Sequence, residues 1–497
     1  MAKKTLNWWE VDKELKGLET DVDHEIVVQR EAIPLIFVPG IMGSRLRRAG
    51  QPSAGKGADG LPNMRWDPSN KGFMLKNYLY RYAARRKKMI IGSRFSPSFL
   101  EVANSDPVGD GFEGIMDAYR PFLQTLRARP WGALGKVFEF PVYAFGYNWS
   151  DSAGTAGAEL ATRIPEIIAE AKGVVGLCEK VILITHSMGG LVARACSELS
   201  GAKGLILGIV HGVQPVTGSG AAYWRVKAGF EGAKAESAVL GNDGKDVTVV
   251  LGNSPGGLQL LPNKLHRTNA GDVAWLKVTK DGAVYDKLAF PLNDPPDPYN
   301  DIYRVKAVVE QQNKDEPSGN AYWGLVDPGL LDPDESQKAS EAGSIDADSD
   351  AGQRAPWDLY LDYLATAESF HDSLGATPQP NSFCFTGIGH PTVDVVEMKV
   401  EWAATPVQNY RTRGFAGQFT TADGWDMKAI LQDPAGSGDG TVPVYSARKL
   451  NNSGKPKPGD EDINAEHQPA YEGGAAQTFT INAITALCKK HFDKRHK

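Results

Sequence analysis

The amino-acid sequence predicts an α/β fold: a mostly parallel sheet with helices on both faces and a large inserted cap. Three observations lead to this prediction. Short apolar segments alternate with amphipathic helical segments over residues 33–212, the alternation resumes after residue 380, and the region between loses it. Alternating strands and helices form parallel sheets with right-handed crossovers. We therefore expect a core formed by residues 1–212 and 381–497, with residues 213–380 as the cap.

The composition is that of an ordinary globular protein, and it restricts the classes of function. The chain has 497 residues, of which 41% are hydrophobic and 23% charged, and its formal net charge is −6. This negative balance argues against a nucleic-acid partner. No apolar run is long enough to cross a membrane, and the opening residues lack the apolar segment of a signal peptide. We expect the protein to be cytoplasmic in the producing cell, with any export proceeding without a signal peptide.

The four cysteines predict neither a disulfide framework nor a metal site. They are far apart in the sequence, lie mostly in apolar segments and show no Cys–His metal spacing. Buried free thiols in a reducing compartment are therefore expected. The cysteines are Cys178, Cys196, Cys384 and Cys488.

Two early segments have distinctive composition. Residues 1–31 are polar and amphipathic, which predicts a short helix and a lead-in to the core. Residues 74–104 mix basic and aromatic side chains. Such a stretch can contact anionic lipid at a membrane surface. It also fits the solvated face of a helix, and the sequence leaves both interpretations open.

One strand–turn–helix segment organises the rest of the chain. Residues 181–184 are apolar and mostly β-branched, which predicts a short buried strand, and residues 191–199 have helical spacing. A strand, a sharp turn with Ser187 at its tip and a helix make a nucleophile elbow, whose strained turn projects the hydroxyl above the sheet. Gly189 supplies the small residue two positions after the serine. Thr185 stands where glycine is usual, two positions before it.

A serine nucleophile needs backbone donors for the developing oxyanion. The amide of Met188 follows the serine at a helix N-terminus, where it can donate. The second donor in such enzymes comes from a loop early in the chain. Residues 33–44 are a predicted buried strand that runs into a glycine-containing loop, so the amide of Ile41 is the candidate. The alternative for both segments is an ordinary turn without chemistry.

The acid and the base are expected after the nucleophile, in the order serine, carboxylate, histidine. Asp439 lies between glycines in residues 436–443, where its carboxylate can orient a histidine, although a plain Asp-Gly turn has the same pattern. A polar loop is predicted for residues 451–464. His467 follows this loop and precedes the last helix, which is the place of the base. His390 is the second choice because it precedes the acid.

Several motifs together resemble the lecithin–cholesterol acyltransferase-like branch of α/β hydrolases, which includes lysosomal phospholipase A2 and many bacterial lipases. They are residues 34–46, 147–149, 185–190, 383–392 and 438–443. The resemblance implies Ser187 as nucleophile, Asp439 as acid and His467 as base, with the Ile41 and Met188 amides as the oxyanion hole. The long chain without a signal peptide and with an acidic insertion is also similar to bacterial lipase effectors delivered by type VI secretion.

The cap is expected to cover the site. Its acidic segment, residues 332–353, is poor in apolar residues and predicts a disordered or solvated loop. Insertions at the carboxyl ends of parallel strands overhang the pocket, so apolar cap residues can line an acyl groove or form the cap's own core. The apolar residues considered are Trp224, Phe230, Leu258, Leu261, Trp275, Trp323 and Leu325.

The sequence thus predicts a serine ester hydrolase that acts on lipid esters through an acyl-enzyme, a chemistry that requires no cofactor or metal. The predicted partners are a lipid or ester substrate, a transient membrane surface and, if the chain is a secreted effector, an immunity protein. Two alternatives remain. One is an acyltransferase of the same fold, and the other is a non-catalytic scaffold that binds a protein or lipid.

Overall fold

The protein is described from a computed structural model. The described residues are 2–11, 24–79, 81–92, 99–104, 111–230, 239–284, 297–307, 322–332, 355–377, 381–403, 414–420, 426–451 and 459–495. Most of the acidic segment 332–353 therefore lies outside the described residues.

The strands, in chain order, are β1 (Ala2–Asn7), β2 (His24–Gln29), β3 (Glu31–Ala32), β4 (Leu35–Val38), β5 (Leu46–Arg48), β6 (Met64–Trp66), β7 (Leu100–Val102), β8 (Phe138–Glu139), β9 (Val142–Ala144), β10 (Val181–His186), β11 (Ile206–Gly212), β12 (Leu276–Lys280), β13 (Ala283–Val284), β14 (Ser382–Ile388), β15 (His390–Thr392), β16 (Val396–Trp402), β17 (Phe415–Thr420), β18 (Asp426–Leu431), β19 (Gly436–Gly438) and β20 (Glu461–Asn464). The α-helices are α1 (Lys71–Tyr78), α2 (Ala83–Ile90), α3 (Arg120–Ala128), α4 (Ala153–Val175), α5 (Gly189–Glu198), α6 (Gly220–Ala228), α7 (Gly244–Val247), α8 (Pro255–Leu258), α9 (Pro356–Leu374), α10 (Val444–Arg448) and α11 (Gly474–Arg495).

The central sheet has six strands in the order β20-β14-β11-β10-β4-β9. Every neighbouring pair in it is parallel. The chain runs outward from β4 to β9 on one side and then adds β10, β11, β14 and β20 on the other. The strand order therefore reverses between β4 and β10, and ligand sites in such sheets lie at the carboxyl ends of the strands at this switch point.

Both faces of the sheet are covered, which explains why its strands are apolar without alternation. Leu183 of β10 packs on one face with residues of α4 and α5. Its neighbours Ile182 and Ile184 pack on the other face with residues of α3 and α11. Successive side chains of a strand point to opposite faces, so one apolar run of β10 serves two cores.

A second, mixed sheet has the order β13-β12-β16-β18-β17. Its β12 comes from the predicted cap and pairs in parallel with β16, which lies beyond residue 380. β16 is also antiparallel to β18. Strands from both sides of residue 380 thus build this sheet.

The apolar cap residues mostly belong to the protein core. Six of the seven are buried in the same continuous cluster as Leu183: Trp224, Leu258, Leu261, Trp275, Trp323 and Leu325. Phe230 is partly buried and lines a pocket described below. Of the two interpretations that the sequence left open, packing applies to these six residues.

The structure changes two local interpretations. Residues 2–7 and 24–29 form β1 and β2, which pair in parallel, and most of the stretch that could hold the short helix expected in residues 1–31 lies outside the described residues. Residues 451–464 are not entirely loop, because β20 pairs in parallel with β14 at the edge of the central sheet. An edge strand needs only one buried face, and in β20 Ile463 is the buried residue among polar neighbours, so its pattern resembled a loop. Among the described residues, no helix is both long and apolar enough to span a membrane.

Candidate active site

The turn after β10 has the strained geometry of a nucleophile elbow. Ser187 has a φ of 52°, which places a non-glycine residue in the left-handed region. Gly189 opens α5 directly behind the turn, and a Cβ there would lie 2.3 Å from the carbonyl oxygen of Val38. Only glycine fits this approach. Thr185, two positions before the serine, is buried, and its hydroxyl lies 3.2 Å from His211 Nδ1 on the neighbouring strand.

The structure brings Ser187, His467 and Asp439 into one hydrogen-bonded row. Nε2 of His467 lies 2.8 Å from Ser187 Oγ, and its Nδ1 lies 2.8 Å from Asp439 Oδ2. Because an ionised carboxylate only accepts, Nδ1 carries the proton and Nε2 presents its lone pair to the serine hydroxyl. This is the arrangement that activates a serine nucleophile.

Asp439 is fixed independently of the imidazole. Its Oδ1 accepts the amides of Thr441 and Val442 at 2.9 and 2.6 Å, and the amide of His467 donates to its carbonyl oxygen at 2.8 Å. The Asp-Gly turn thus uses one carboxylate oxygen for its own backbone and leaves the other for His467. Asp439 and His467 therefore contact each other through one side-chain hydrogen bond and one backbone hydrogen bond.

The loop after β4 lies against the elbow. A Cβ on Gly40 would be 3.0 Å from the Cβ of Ser187, so this position must be glycine for the loop to approach. Met42 has a φ of 62°, and its carbonyl oxygen accepts Trp66 Nε1 at 2.8 Å. Within the described part of the chain, no hydrogen bond engages the amides of Ile41 and Met188. Both predicted oxyanion donors are therefore available to a ligand.

A second row of buried polar groups joins this loop to the base. The Nε2 of His186 lies 2.8 Å from the carbonyl oxygen of His467, and its Nδ1 lies 2.9 Å from Tyr119 Oη. Burial, followed by the charge of nearby His467, lowers the pKa of His186 to about 3. The ring is therefore neutral, with Nε2 as donor and Nδ1 as acceptor. Tyr119 donates to Nδ1 and accepts the amide of Gly40 at 3.5 Å.

A small, mainly apolar pocket lies against the loop after β4. Met42, one residue after the predicted donor Ile41, lines it together with side chains from β6, α1, α2, the 147–149 segment and the cap. Its lining residues are Met42, Trp66, Tyr78, Arg86, Ile90, Trp149, Phe230, Leu240, Val247, Val250 and Leu251.

The remaining candidates lie outside the row. His390 contacts Asn464 Oδ1 at 3.1 Å, so the second-choice base is not the residue brought to Ser187. Sequence reasoning missed Tyr119 and Trp66, which support the loop. Neither belongs to a recognisable motif, and no signal in the sequence pairs them with residues 40–42. In the described part of the chain, no group of three or more His, Cys, Asp or Glu residues is arranged to hold a metal ion.

Comparison with known proteins bears on the fold. No protein-family model matches the chain, and no curated protein matches it. The chain is similar to one solved in the crystal structure of the Tle4–Tli4 complex, with a TM-score of 0.70 and 22% sequence identity. The similarity covers 93% of this chain and 99% of that chain. It confirms the predicted α/β-hydrolase fold class. The resemblance to the lecithin–cholesterol acyltransferase-like branch stays a prediction.

Proposed function

We propose that the protein is a serine-dependent carboxylic ester hydrolase that acts on lipid esters. The observation that carries the proposal is the row of contacts from Ser187 through His467 to Asp439, placed at a strained strand-to-helix turn. A serine at such a turn, with an oriented imidazole within hydrogen-bond distance, has the geometry of an activated nucleophile.

The chemistry follows from the positions of the protons. Ser187 Oγ attacks the ester carbonyl while Nε2 of His467 takes the hydroxyl proton, and Asp439 stabilises the imidazolium. The amides of Ile41 and Met188 donate to the tetrahedral oxyanion, an effect of roughly 3–4 kcal/mol per donor. The imidazolium then protonates the leaving alcohol as its C–O bond breaks. Water attacks the resulting acyl-serine by the same steps in reverse and releases the acid.

The lipid part of the proposal is supported by the pocket that starts at Met42. Its walls are mainly apolar and aromatic, as expected for a site that receives a hydrocarbon chain. Met42 neighbours the predicted oxyanion donor Ile41, so the pocket lies beside the predicted oxyanion loop, and it must widen to receive an acyl chain.

We also propose that the protein is a lipase effector of the type VI secretion kind, with an immunity protein as its partner. The sequence resemblance described above suggested this role. The similar structure is that of a complex between two proteins, Tle4 and Tli4, which supports a search for a protein partner. Co-purification with the products of neighbouring genes would test it, and a partner that leaves hydrolysis uninhibited would contradict it.

The catalytic proposal is tested by labelling and turnover together. A fluorophosphonate probe should modify Ser187, and the purified protein should hydrolyse p-nitrophenyl esters, triacylglycerols or phospholipids. Ser187→Ala should abolish both activities. Ser197→Ala, which removes another buried hydroxyl of the same region, is the matched control and should retain them. Hydrolysis by the Ser187→Ala variant would contradict the mechanism, and a chain that neither reacts with the probe nor hydrolyses any ester would be a scaffold.

A further inference from the structure

Charge is unevenly distributed along this acidic chain. Residues 68–100 contain eight Lys or Arg residues and no Asp or Glu, although the whole chain has a net charge of −6. The described part of this segment folds into α1 and α2, which are joined by a short link. Cations concentrated on one pair of helices form a local positive field that the net charge conceals.

Two of these cations are used inside the protein. Arg86 is buried and lies 3.6 Å from Asp246, and the Lys87 ammonium lies 2.6 Å from Asp332. Four others, Lys71, Lys76, Arg81 and Lys88, are exposed. We define the cationic face by the exposed residues of α1, α2 and their link: Lys71, Leu75, Lys76, Arg81, Tyr82 and Lys88.

The link between the helices brings the charge of Arg81 close to that of Arg85. Arg81 Nε donates to the carbonyl oxygen of Lys76 at 3.0 Å, and Arg85 donates to Asn77 at 3.0 Å, so the link folds back on α1. Burial, and then the positive charge of Arg81, lower the pKa of Arg85. Among the described residues, no carboxylate forms an ion pair with the four cations of the cationic face. An external anion would satisfy them.

The same face presents apolar side chains to solvent. Tyr82 is 85% exposed and Leu75 is 48% exposed. Aromatic residues beside Lys and Arg are the combination that anchors proteins at the interface of a bilayer. Binding to a nucleic acid would use the cations but not Leu75, and the acidic remainder of the chain would oppose it.

The cationic face and the apolar pocket are on the same two helices. Tyr78 of α1 and Arg86 and Ile90 of α2 line the pocket, together with Met42 of the oxyanion loop. The same two helices therefore carry the cationic face on their exposed residues and part of the pocket wall on their buried residues.

We propose that the cationic face docks the protein on membranes that contain anionic phospholipid. Lys71, Lys76, Arg81 and Lys88 contact the headgroup phosphates, while Tyr82 and Leu75 enter the interface. The evidence for docking is the positive charge and the exposure of the cationic face. Its consequence, delivery of phospholipid esters to the pocket, rests on the proposed function.

The test measures binding of the full chain to vesicles. Ser187→Ala is used as the background so that hydrolysis does not alter the lipid. Vesicles of phosphatidylcholine are compared with vesicles of phosphatidylcholine and phosphatidylglycerol by co-sedimentation. The background protein should prefer the anionic vesicles, and raising the salt concentration should weaken binding because the contacts are at the surface.

A triple variant, Lys71→Glu, Lys76→Glu and Lys88→Glu, removes cations whose side chains form no hydrogen bond or ion pair among the described residues. Because each basic residue near an anionic surface contributes about 1 kcal/mol, binding should weaken on the order of a hundredfold. The matched control is Lys172→Glu, Lys489→Glu and Lys494→Glu, which makes the same charge change at exposed positions on α4 and α11. It should bind nearly as well as the background protein.

Three results would overturn the proposal: no preference for anionic vesicles, unchanged binding by the first triple variant, or an equal loss in both triple variants, which would reflect net charge alone. Loss of a protein partner by the first variant, with vesicle binding intact, would make the face a protein interface instead.

Activity on a soluble short-chain ester, measured with Ser187 restored, separates the docking proposal from the proposed function. If esterase activity is absent but anionic vesicles still bind through this face, only the proposed function fails.

Discussion

His186 donates its Nε2 proton to the carbonyl oxygen of His467 across 2.8 Å. The residue that precedes the nucleophile therefore holds the backbone of the base. Since Nδ1 of the same ring accepts from Tyr119, and Tyr119 accepts from Gly40, one imidazole connects the base to the oxyanion loop. Movement of the base or of the oxyanion loop would therefore be transmitted through the His186 ring.

Tyr119→Phe tests this connection. The substitution leaves the Nδ1 of His186 and the amide of Gly40 without their partner but keeps the packing of the ring. We expect kcat to fall by roughly tenfold or more while KM changes little, because a lost buried hydrogen bond costs about 1–3 kcal/mol. Tyr360→Phe is the control, since its buried hydroxyl donates to Tyr303 far from the site. Both variants should lose stability, and equal kcat values would refute the connection.

Gly189→Ala tests the close approach at the elbow. The added Cβ would lie 2.3 Å from the carbonyl oxygen of Val38 and 2.5 Å from that of Pro39, so the oxyanion loop must move. We expect a large loss of kcat and a lower free energy of unfolding. Gly173→Ala is the control, because nothing lies within 4 Å of its Cβ in α4. That variant should gain about 0.5–1 kcal/mol of stability and keep its activity.

Asp439→Asn tests the acid. An amide can hold the imidazole in the wrong tautomer, so kcat should fall on the order of 10⁴ as in other triads. Asp433→Asn changes a carboxylate just before the Gly-rich turn and should leave kcat near that of the unmodified protein. The measurement is kcat on a soluble ester for both variants. An inactive Asp433→Asn beside an active Asp439→Asn would reverse the assignment.

Acid should destabilise the fold through three buried imidazoles. Burial lowers the pKa of His186 and His266 to about 3 and that of His371 to about 4, from an ordinary value of 6.5. Between these pH values the unfolded chain binds protons that the folded chain excludes, so stability falls as the pH is lowered below 6.5. Each group contributes up to about 1.4 kcal/mol per pH unit. Urea unfolding should show a shallower pH dependence for His266→Gln, and an unchanged slope would contradict this assignment.

The acyl-chain length of the substrate distinguishes substitutions in the pocket from substitutions in the core. Phe230→Ala with Leu240→Ala removes two pocket walls, so kcat/KM should fall much more for long-chain than for short-chain esters. Trp224→Ala removes a buried core residue instead. It should cost about 3–5 kcal/mol of stability and affect both chain lengths alike. If all substitutions act equally on both chain lengths, the pocket does not hold the acyl chain.

The sequence predicted those parts of the site that are encoded locally. Ser187 and Asp439 lie in short motifs whose turn chemistry is visible in a few residues, and His467 follows from chain order. The role of Tyr119 could not be predicted from the sequence. Its contact with His186 joins positions 67 residues apart and depends on how α3 packs. The sequence left the position of the pocket open for a similar reason. Trp224 and Phe230 look alike in sequence, and only the packing shows that one is core and the other is pocket wall.

The separation of Ser187 and His467 by 280 residues has a consequence for synthesis of the chain. The ribosome makes the nucleophile first, and at about 10 residues per second the base follows roughly half a minute later. The strand just before the base, β20, must also join the edge of β14. We expect a nascent chain that already displays the elbow to be chemically silent throughout this interval. Under the proposed function, the chain cannot attack the membranes of the cell that makes it before translation has passed His467.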